Sequence, residues 1–167
     1  MTANLLLKKW QHLGINITLV ESPDIGIIGV GEGSTPSLKE FLDVLDISEP
    51  EWMPECNATY KNGITFKHWS SVAGYEEYFH PFPCSLDFAT FGFLEKNSTL
   101  RRKGADVIAH PNRFSLMASL AEKKFAPIPS ENFPFHFQYG YHFDSVLLGQ
   151  FLRKKALEQG INYIQAT

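Results

Sequence analysis

Cysteine is scarce in this 167-residue chain: there are two, Cys56 and Cys84, and neither has a partner at metal-ligand spacing. That excludes a zinc ribbon or a disulfide-stapled miniature scaffold, and leaves two buried thiols in a reducing compartment as the expectation. No apolar run is long enough to span a bilayer, and the first residues lack the charged start and small-residue cleavage site of a signal peptide. A cytoplasmic protein without a membrane partner is expected. Blocks of like charge are also missing. The chain carries 15 Lys+Arg against 18 Asp+Glu, a net charge of -3, with the signs interspersed. This argues against a nucleic-acid partner or a basic membrane-surface helix. His12, His68, His110, His136 and His142 stand away from cysteines and carboxylates at ligand spacing, so no metal site is expected. There is no internal repeat, low-complexity tract or inter-domain linker.

What is present is an apolar chain, 44% hydrophobic and 14% aromatic, with 14 phenylalanines. That suffices for a packed core or a pocket for a flat ligand. Residues 3–13 read as a helix with Leu6, Trp10 and Leu13 on its inner face and Gly14 as its stop. A β-branched strand over 15–20 follows, ending at Glu21-Ser22-Pro23. Helix, glycine, strand and acidic residue make the second half of a βαβ unit. Thr35 is the expected cap of a helix with Pro36 in its first turn and Leu38, Phe41, Leu42 and Leu45 inward. Ser48 and Glu51 have capping-box spacing. Asn62-Gly63 marks a turn into a half-buried strand over 64–69, with 75–79 as a partner strand. A helix near 86–94, a polar loop near 97–103, a helical stretch over 114–124 and a Pro- and Phe-rich link over 127–137 come next. The last segment is the clearest: Asp144 as cap, a helix with Val146, Leu147, Phe151 and Ala156 inward, Gly160 as stop, then a strand over 161–165.

Four features could carry chemistry. Glu21 at a strand end is where dinucleotide-binding folds hold ribose hydroxyls, or simply a solvated acid. In Gly29-Val30-Gly31-Glu32-Gly33-Ser34-Thr35-Pro36, alternating glycines let the backbone approach a ligand closely, and N–H groups near a helix start attract anionic or carbonyl oxygen. The alternative is a flexible loop. Lys61, between apolar segments, could act as nucleophile, acid or hydrogen-bond donor, although most lysines are solvated. His80 and Phe82, after Tyr78-Phe79, could sandwich a flat substrate such as an indole, or be a packed strand end with a satisfied histidine.

Taken together, Val20-Glu21-Ser22, Ile28 to Pro36, Glu51-Trp52-Met53, Cys56-Asn57-Ala58-Thr59-Tyr60-Lys61 and Tyr139-Gly140-Tyr141-His142-Phe143-Asp144 resemble the flavin-dependent tryptophan halogenases, in order and in approximate spacing. The resemblance implies an α/β fold: an incomplete FAD-binding, Rossmann-like domain of the flavin-monooxygenase kind, with additional helices and strands from the substrate region. It implies one partial domain over 1–167, lacking the family's first strand and Gly-rich turn and its C-terminal part, so that the chain alone would bind FAD poorly and be inactive. In such enzymes reduced FAD, supplied by a separate flavin reductase, works with oxygen and halide to give hypohalous acid. The acid passes through a tunnel to a lysine, which presents electrophilic halogen to an aromatic small-molecule substrate. By this resemblance Lys61 is the catalytic lysine and Glu21 the ribose-binding acid. Gly29, Val30, Gly31, Glu32, Gly33, Ser34, Thr35 and Pro36 form the strap beside the flavin, and His80 and Phe82 line the substrate, closer to the lysine in sequence than in some members. A homodimer is compatible with it. A flavin-dependent monooxygenase of the same fold and a non-catalytic α/β module remain open as alternatives.

Overall fold

The computed structural model describes residues 1–26 and 32–167. The chain divides into two compact units, one built from Met1–Thr59 and Tyr141–Thr167, the other from Tyr60–Gly140. The crossings fall within the short strands β2 (Thr59–Lys61) and β5 (Gly140–His142).

The first unit is an α/β layer. Helix α1 (Thr2–Trp10) runs into a 3-10 turn over Gln11–Leu13, and Gly14, at φ 71°, ends it as its position predicts. Strand β1 (Thr18–Glu21) pairs in parallel with β6 (Asn162–Gln165), Thr18 opposite Asn162 and Glu21 opposite Gln165. Between them in sequence come α2 (Ser37–Val44), α3 (Glu49–Trp52) and α6 (Ser145–Glu158). Leu7, Ala156 and Ile161 form a buried cluster that Ala3, Ile17, Leu19 and Tyr163 cover. Helices α1 and α6 thus close one apolar layer with both strands.

Which face of α1 turns inward differs from the sequence expectation. Trp10 and Leu13 are exposed, while Asn4 and Leu7 are buried. The inner stripe tolerates Asn4 because its side-chain amide donates to the Leu152 carbonyl of α6 at 3.1 Å, replacing the lost hydration. Helix α2 buries Leu38, Phe41 and Leu42 as expected. Its N-cap, however, is Pro36, and no side chain caps it; Thr35 lies one residue too early and offers only its carbonyl to the Leu38 N–H. Nor does Ser48 close a capping box. Glu51 is drawn instead to Lys155 at 2.6 Å. Asp144 does cap α6, accepting from the Val146 and Leu147 N–H groups at 2.9 and 3.0 Å. Val146, expected inward, is exposed; the buried stripe is Leu148, Phe151, Leu152 and Ala156, and Gly160 at φ 83° stops the helix.

The second unit pairs β3 (Gly63–Lys67) with β4 (Glu77–Pro81) in antiparallel register, Gly63 opposite Pro81 and Phe66 opposite Tyr78. The strand partnership expected around 64–69 and 75–79 is present, slightly shifted. Helix α4 (Ser85–Arg102) is twice as bold as its sequence implies, running through the tract read as a polar loop near 97–103. Leu100, Arg101 and Arg102 are good helix formers, and the two arginines sit in the last turn where the helix dipole favours them. A 3-10 turn (Pro111–Phe114) leads into α5 (Leu116–Glu122). Buried Asp87 of α4 anchors this start: its carboxylate accepts from the Leu116 N–H at 2.7 Å and from the Ser115 hydroxyl at 3.2 Å. The Pro- and Phe-rich link over 127–137 is irregular until its end, where Phe137 bridges to Cys84.

Candidate functional site

In the first unit the residues of three resembling motifs meet in one core. Trp52, Cys56 and Tyr141 are fully buried, and Trp52 packs edge-on against Tyr141 with ring centroids 4.8 Å apart. The Tyr141 hydroxyl donates to Glu49 Oε1 at 2.7 Å. The Asp144 N–H reaches the Cys56 carbonyl at 3.0 Å, so the segment that caps α6 is also tied to the segment leading to Lys61. Cys56 and Cys84 are both free and buried. Burial, reinforced by the carboxylates of Glu55 and Asp144, pushes the Cys56 thiol from 9.0 up to about 11.

Of the glycine strap, Gly29, Val30 and Gly31 lie outside the described residues. Its second half is zipped onto the Tyr141 segment. The Ser34 N–H donates to the Tyr141 carbonyl at 2.8 Å, the Tyr141 N–H to Ser34 Oγ at 3.0 Å, and the Phe143 N–H to the Glu32 carbonyl at 2.9 Å. Gly33 bridges His142. A chain running from the helix-α6 cap onto the strap fixes the strap's exit into α2.

Glu21 ends β1 beside a groove of about 830 Å³. The first turn of α1, Ser22, Ile25, Val146 and Arg153 also line it. No side chain caps the first turn of α1. Asn4, at the same wall, has its Oδ1 buried without a partner. The Glu21 carboxylate accepts from the Tyr163 hydroxyl at 3.0 Å and lies 3.5 Å from Arg153 Nη1. The hydrogen bond to Tyr163, then the charge of Glu21, raises the Arg153 pKa. Helix N–H groups suit phosphate oxygens, and a carboxylate suits ribose hydroxyls, so the groove offers the donor and acceptor set of a nucleotide. Nothing in the sequence marks Asn4, Arg153 or Tyr163. The meeting of Arg153 and Tyr163 with Glu21 depends on the β1–β6 register and on the packing of α6, both set by residues more than a hundred positions away.

The second unit holds Lys61, His80 and Phe82. Lys61 ends β2, half-buried, with Nζ 5.8 Å from the centre of the Phe82 ring. Phe82 is buried, and its N–H donates to the Asn62 carbonyl at 2.8 Å, which extends the β3–β4 ladder by one step and holds the ring beside the lysine. Tyr60 packs edge-on to Tyr139 at 5.5 Å. His80 stands opposite Ile64 on β4 and is exposed. The structure therefore brings Lys61 and Phe82 together. Among the described residues no cluster of three or more His, Cys, Asp or Glu is placed to hold a metal, and no helix is long and apolar enough to cross a membrane.

Comparison with known proteins supplies the frame for these sites. The tryptophan halogenase family model matches residues 1–167. Tryptophan 6-halogenase SttH of Streptomyces toxytricini is 30% identical over 183 aligned positions, which cover 98% of this chain and 34% of that protein. The 7-chloro-L-tryptophan 6-halogenase KtzR of Kutzneria sp. (strain 744) is 31% identical over 169 positions, 90% of this chain and 32% of its own length. The crystal structure of SttH superposes with a TM-score of 0.76 over 99% of this chain and 32% of that one, at 30% identity. Xcc4156, a flavin-dependent halogenase from Xanthomonas campestris, gives 0.74 at 32% identity over 98% of this chain and 32% of its own. The chain thus spans about a third of the length of these relatives. With the match running from the first residue to the last and the α/β architecture superposing throughout, this chain belongs to the tryptophan halogenase family.

Proposed function

We propose that residues 1–167 form part of a flavin-dependent halogenase acting on tryptophan or a related aromatic or indole substrate, with Lys61 as the catalytic lysine. The observation that carries this reading is the side chain of Lys61 held beside the ring of Phe82 at 5.8 Å, in a segment whose sequence resembles the family's lysine motif. An amine beside an aromatic wall can hydrogen-bond to or carry an electrophilic halogen and hold it within reach of one ring carbon, where orientation does much of the catalysis. Phe82 supplies a flat apolar surface for the substrate ring, and His80 a polar edge next to it. Excluding water from such a wall limits loss of the oxidant.

In the first unit, Glu21 would hold ribose hydroxyls of FAD, the first turn of α1 its phosphates, and the strap over 29–36 would lie beside the flavin. Asn4 Oδ1, buried and without a partner, is an acceptor that a bound nucleotide or its water could satisfy. When bound in reduced form, FAD supplies the electrons with which oxygen and halide become a halogenating oxidant; a separate flavin reductase would deliver them.

The flavin reading is tested by titrating FAD to high concentration into the chain: weak, saturable quenching of its fluorescence is expected, and Glu21→Gln should weaken binding about tenfold further. For catalysis, this chain would replace the corresponding third of SttH. With FAD, reductase, halide and tryptophan, the chimera should give halogenated product that Lys61→Ala abolishes without loss of FAD. The 167-residue chain alone should give none. Product that survives Lys61→Ala, or hydroxylation in place of halogenation, would refute the assignment.

A further inference from the structure

Two residues in contact with Glu21 are used by neither the sequence motifs nor the proposed chemistry: Arg153, which lines the groove, and Tyr163. Leu19 and Glu21 on β1 stand opposite Tyr163 and Gln165 on β6, and with a period of two all four share one face of the parallel pair. Arg153, from the middle of α6, reaches the same face. Its Nη1 lies 3.5 Å from Glu21 Oε2 and 3.5 Å from the Tyr163 hydroxyl. The Tyr163 hydroxyl donates to Glu21 Oε2 at 3.0 Å, and Gln165 Nε2 donates to Tyr163 at 3.3 Å. Both close contacts to Glu21 therefore fall on one oxygen. Oε1 has no hydrogen-bond partner among the described residues.

A glutamate side chain left to itself samples many rotamers, and a ligand that needs one of them loses affinity for the others. Here one oxygen is anchored from a neighbouring strand and from a helix, which leaves the second to accept hydroxyl hydrogens from a ligand. The partners differ in kind. Tyr163 supplies a directional hydrogen bond. Arg153 supplies a positive charge 3.5 Å from the same oxygen, a charge-assisted contact that favours one placement of the carboxylate. Arg153 also lines the groove, but it is already turned to Glu21 and Tyr163, so it is not set out to receive a phosphate on the ribose.

We infer that Arg153 and Tyr163 are positioning residues that fix Glu21 to read a ribose diol, making the first unit selective for ribonucleotides over 2′-deoxyribonucleotides. The inference rests on the reading of Glu21 as the ribose-binding acid and extends it to two residues with no assigned role.

The test is calorimetric titration of the 167-residue chain with ADP and with 2′-deoxy-ADP. The wild type should favour ADP roughly tenfold, and Glu21→Gln should erase the preference. Tyr163→Phe keeps the ring and removes only the hydroxyl; it should cut the preference to about twofold while leaving 2′-deoxy-ADP affinity unchanged, which a merely structural role would not do. Arg153→Gln should also reduce the preference, and Arg153→Lys should restore part of it. If Glu21→Gln abolishes discrimination but Tyr163→Phe and Arg153→Gln keep the wild-type ratio, positioning is overturned and the ribose reading stands. A wild type that binds neither nucleotide, or binds both equally, overturns the ribose reading and this inference with it.

Discussion

Replacing Gly63 with alanine tests how firmly the hairpin next to Lys61 is set. A β-carbon built on Gly63 would lie 2.3 Å from the His80 carbonyl oxygen, 2.5 Å from Phe79 Cζ and 2.9 Å from Pro81 Cα. Two of these three atoms are backbone and cannot rotate aside. The strands must part or slip, disturbing the ladder that carries His80 and, one step on, Phe82. Overpacking costs about 1–3 kcal/mol, and the backbone contacts place this site at the upper end. Alanine also narrows the unfolded ensemble and returns about 0.5–1 kcal/mol. The net loss is about 2 kcal/mol, which for a chain of this size lowers Tm by roughly 4–8 °C. The matched control is Gly92→Ala. Gly92 sits inside α4 with nothing within 4 Å of its would-be β-carbon. There the helix gains about 0.5–1 kcal/mol, and Tm should rise by roughly 1–4 °C. Circular dichroism gives both melts, and hydrogen exchange of the β3 and β4 amides localises the effect. Gly63→Ala melting at or above wild type would refute the close-packing argument, as would a Gly92→Ala loss of equal size.

Asp144→Ala removes an acceptor of two backbone N–H groups at the start of α6 and should destabilise the chain by about 1–2 kcal/mol, with Asp144→Asn close to wild type, as read from urea midpoints. Cys56 gives a pH dependence of known sign. Its folded pKa, about 11 against an ordinary 9.0, means that stability is full below pH 9 and is lost as pH rises from 9 towards 11, because the unfolded thiol ionises first. The difference in urea midpoint between wild type and Cys56→Ala should therefore shrink over that range, and a thiol reagent at pH 8 should leave native Cys56 unmodified.

Much of the first unit is legible in the sequence because local signals agree there. Gly14, Asp144 and Gly160 each sit at a backbone position their chemistry favours, and the α6–β6 segment needs no distant partner to be recognised. The errors have physical causes. The inner face of α1 contains Asn4, which hydropathy places outside and only a hydrogen bond to Leu152 brings in. Glu51 has the spacing of a capping partner, but Lys155 of α6 takes its carboxylate. The end of α4 carries Asn97, Ser98 and Thr99, weak helix formers, and is carried on by the residues around them to Gly104 at φ 90°. Lys61 is the hardest case: its residue type and burial alone distinguish it from no other lysine, and only the surrounding motif singles it out.

The division of the chain also orders events during synthesis. The second unit is one continuous stretch, Tyr60–Gly140, whereas the first is assembled from segments on either side of it. Strand β1 waits for β6, whose Asn162 lies 144 residues after Thr18. A ribosome delivering residues in order hands over the hairpin, α4 and α5 while Glu21 still lacks Tyr163 and Arg153. The second unit can therefore fold before the first, and the pairing of β1 with β6 follows it, at the cost of a long loop closure.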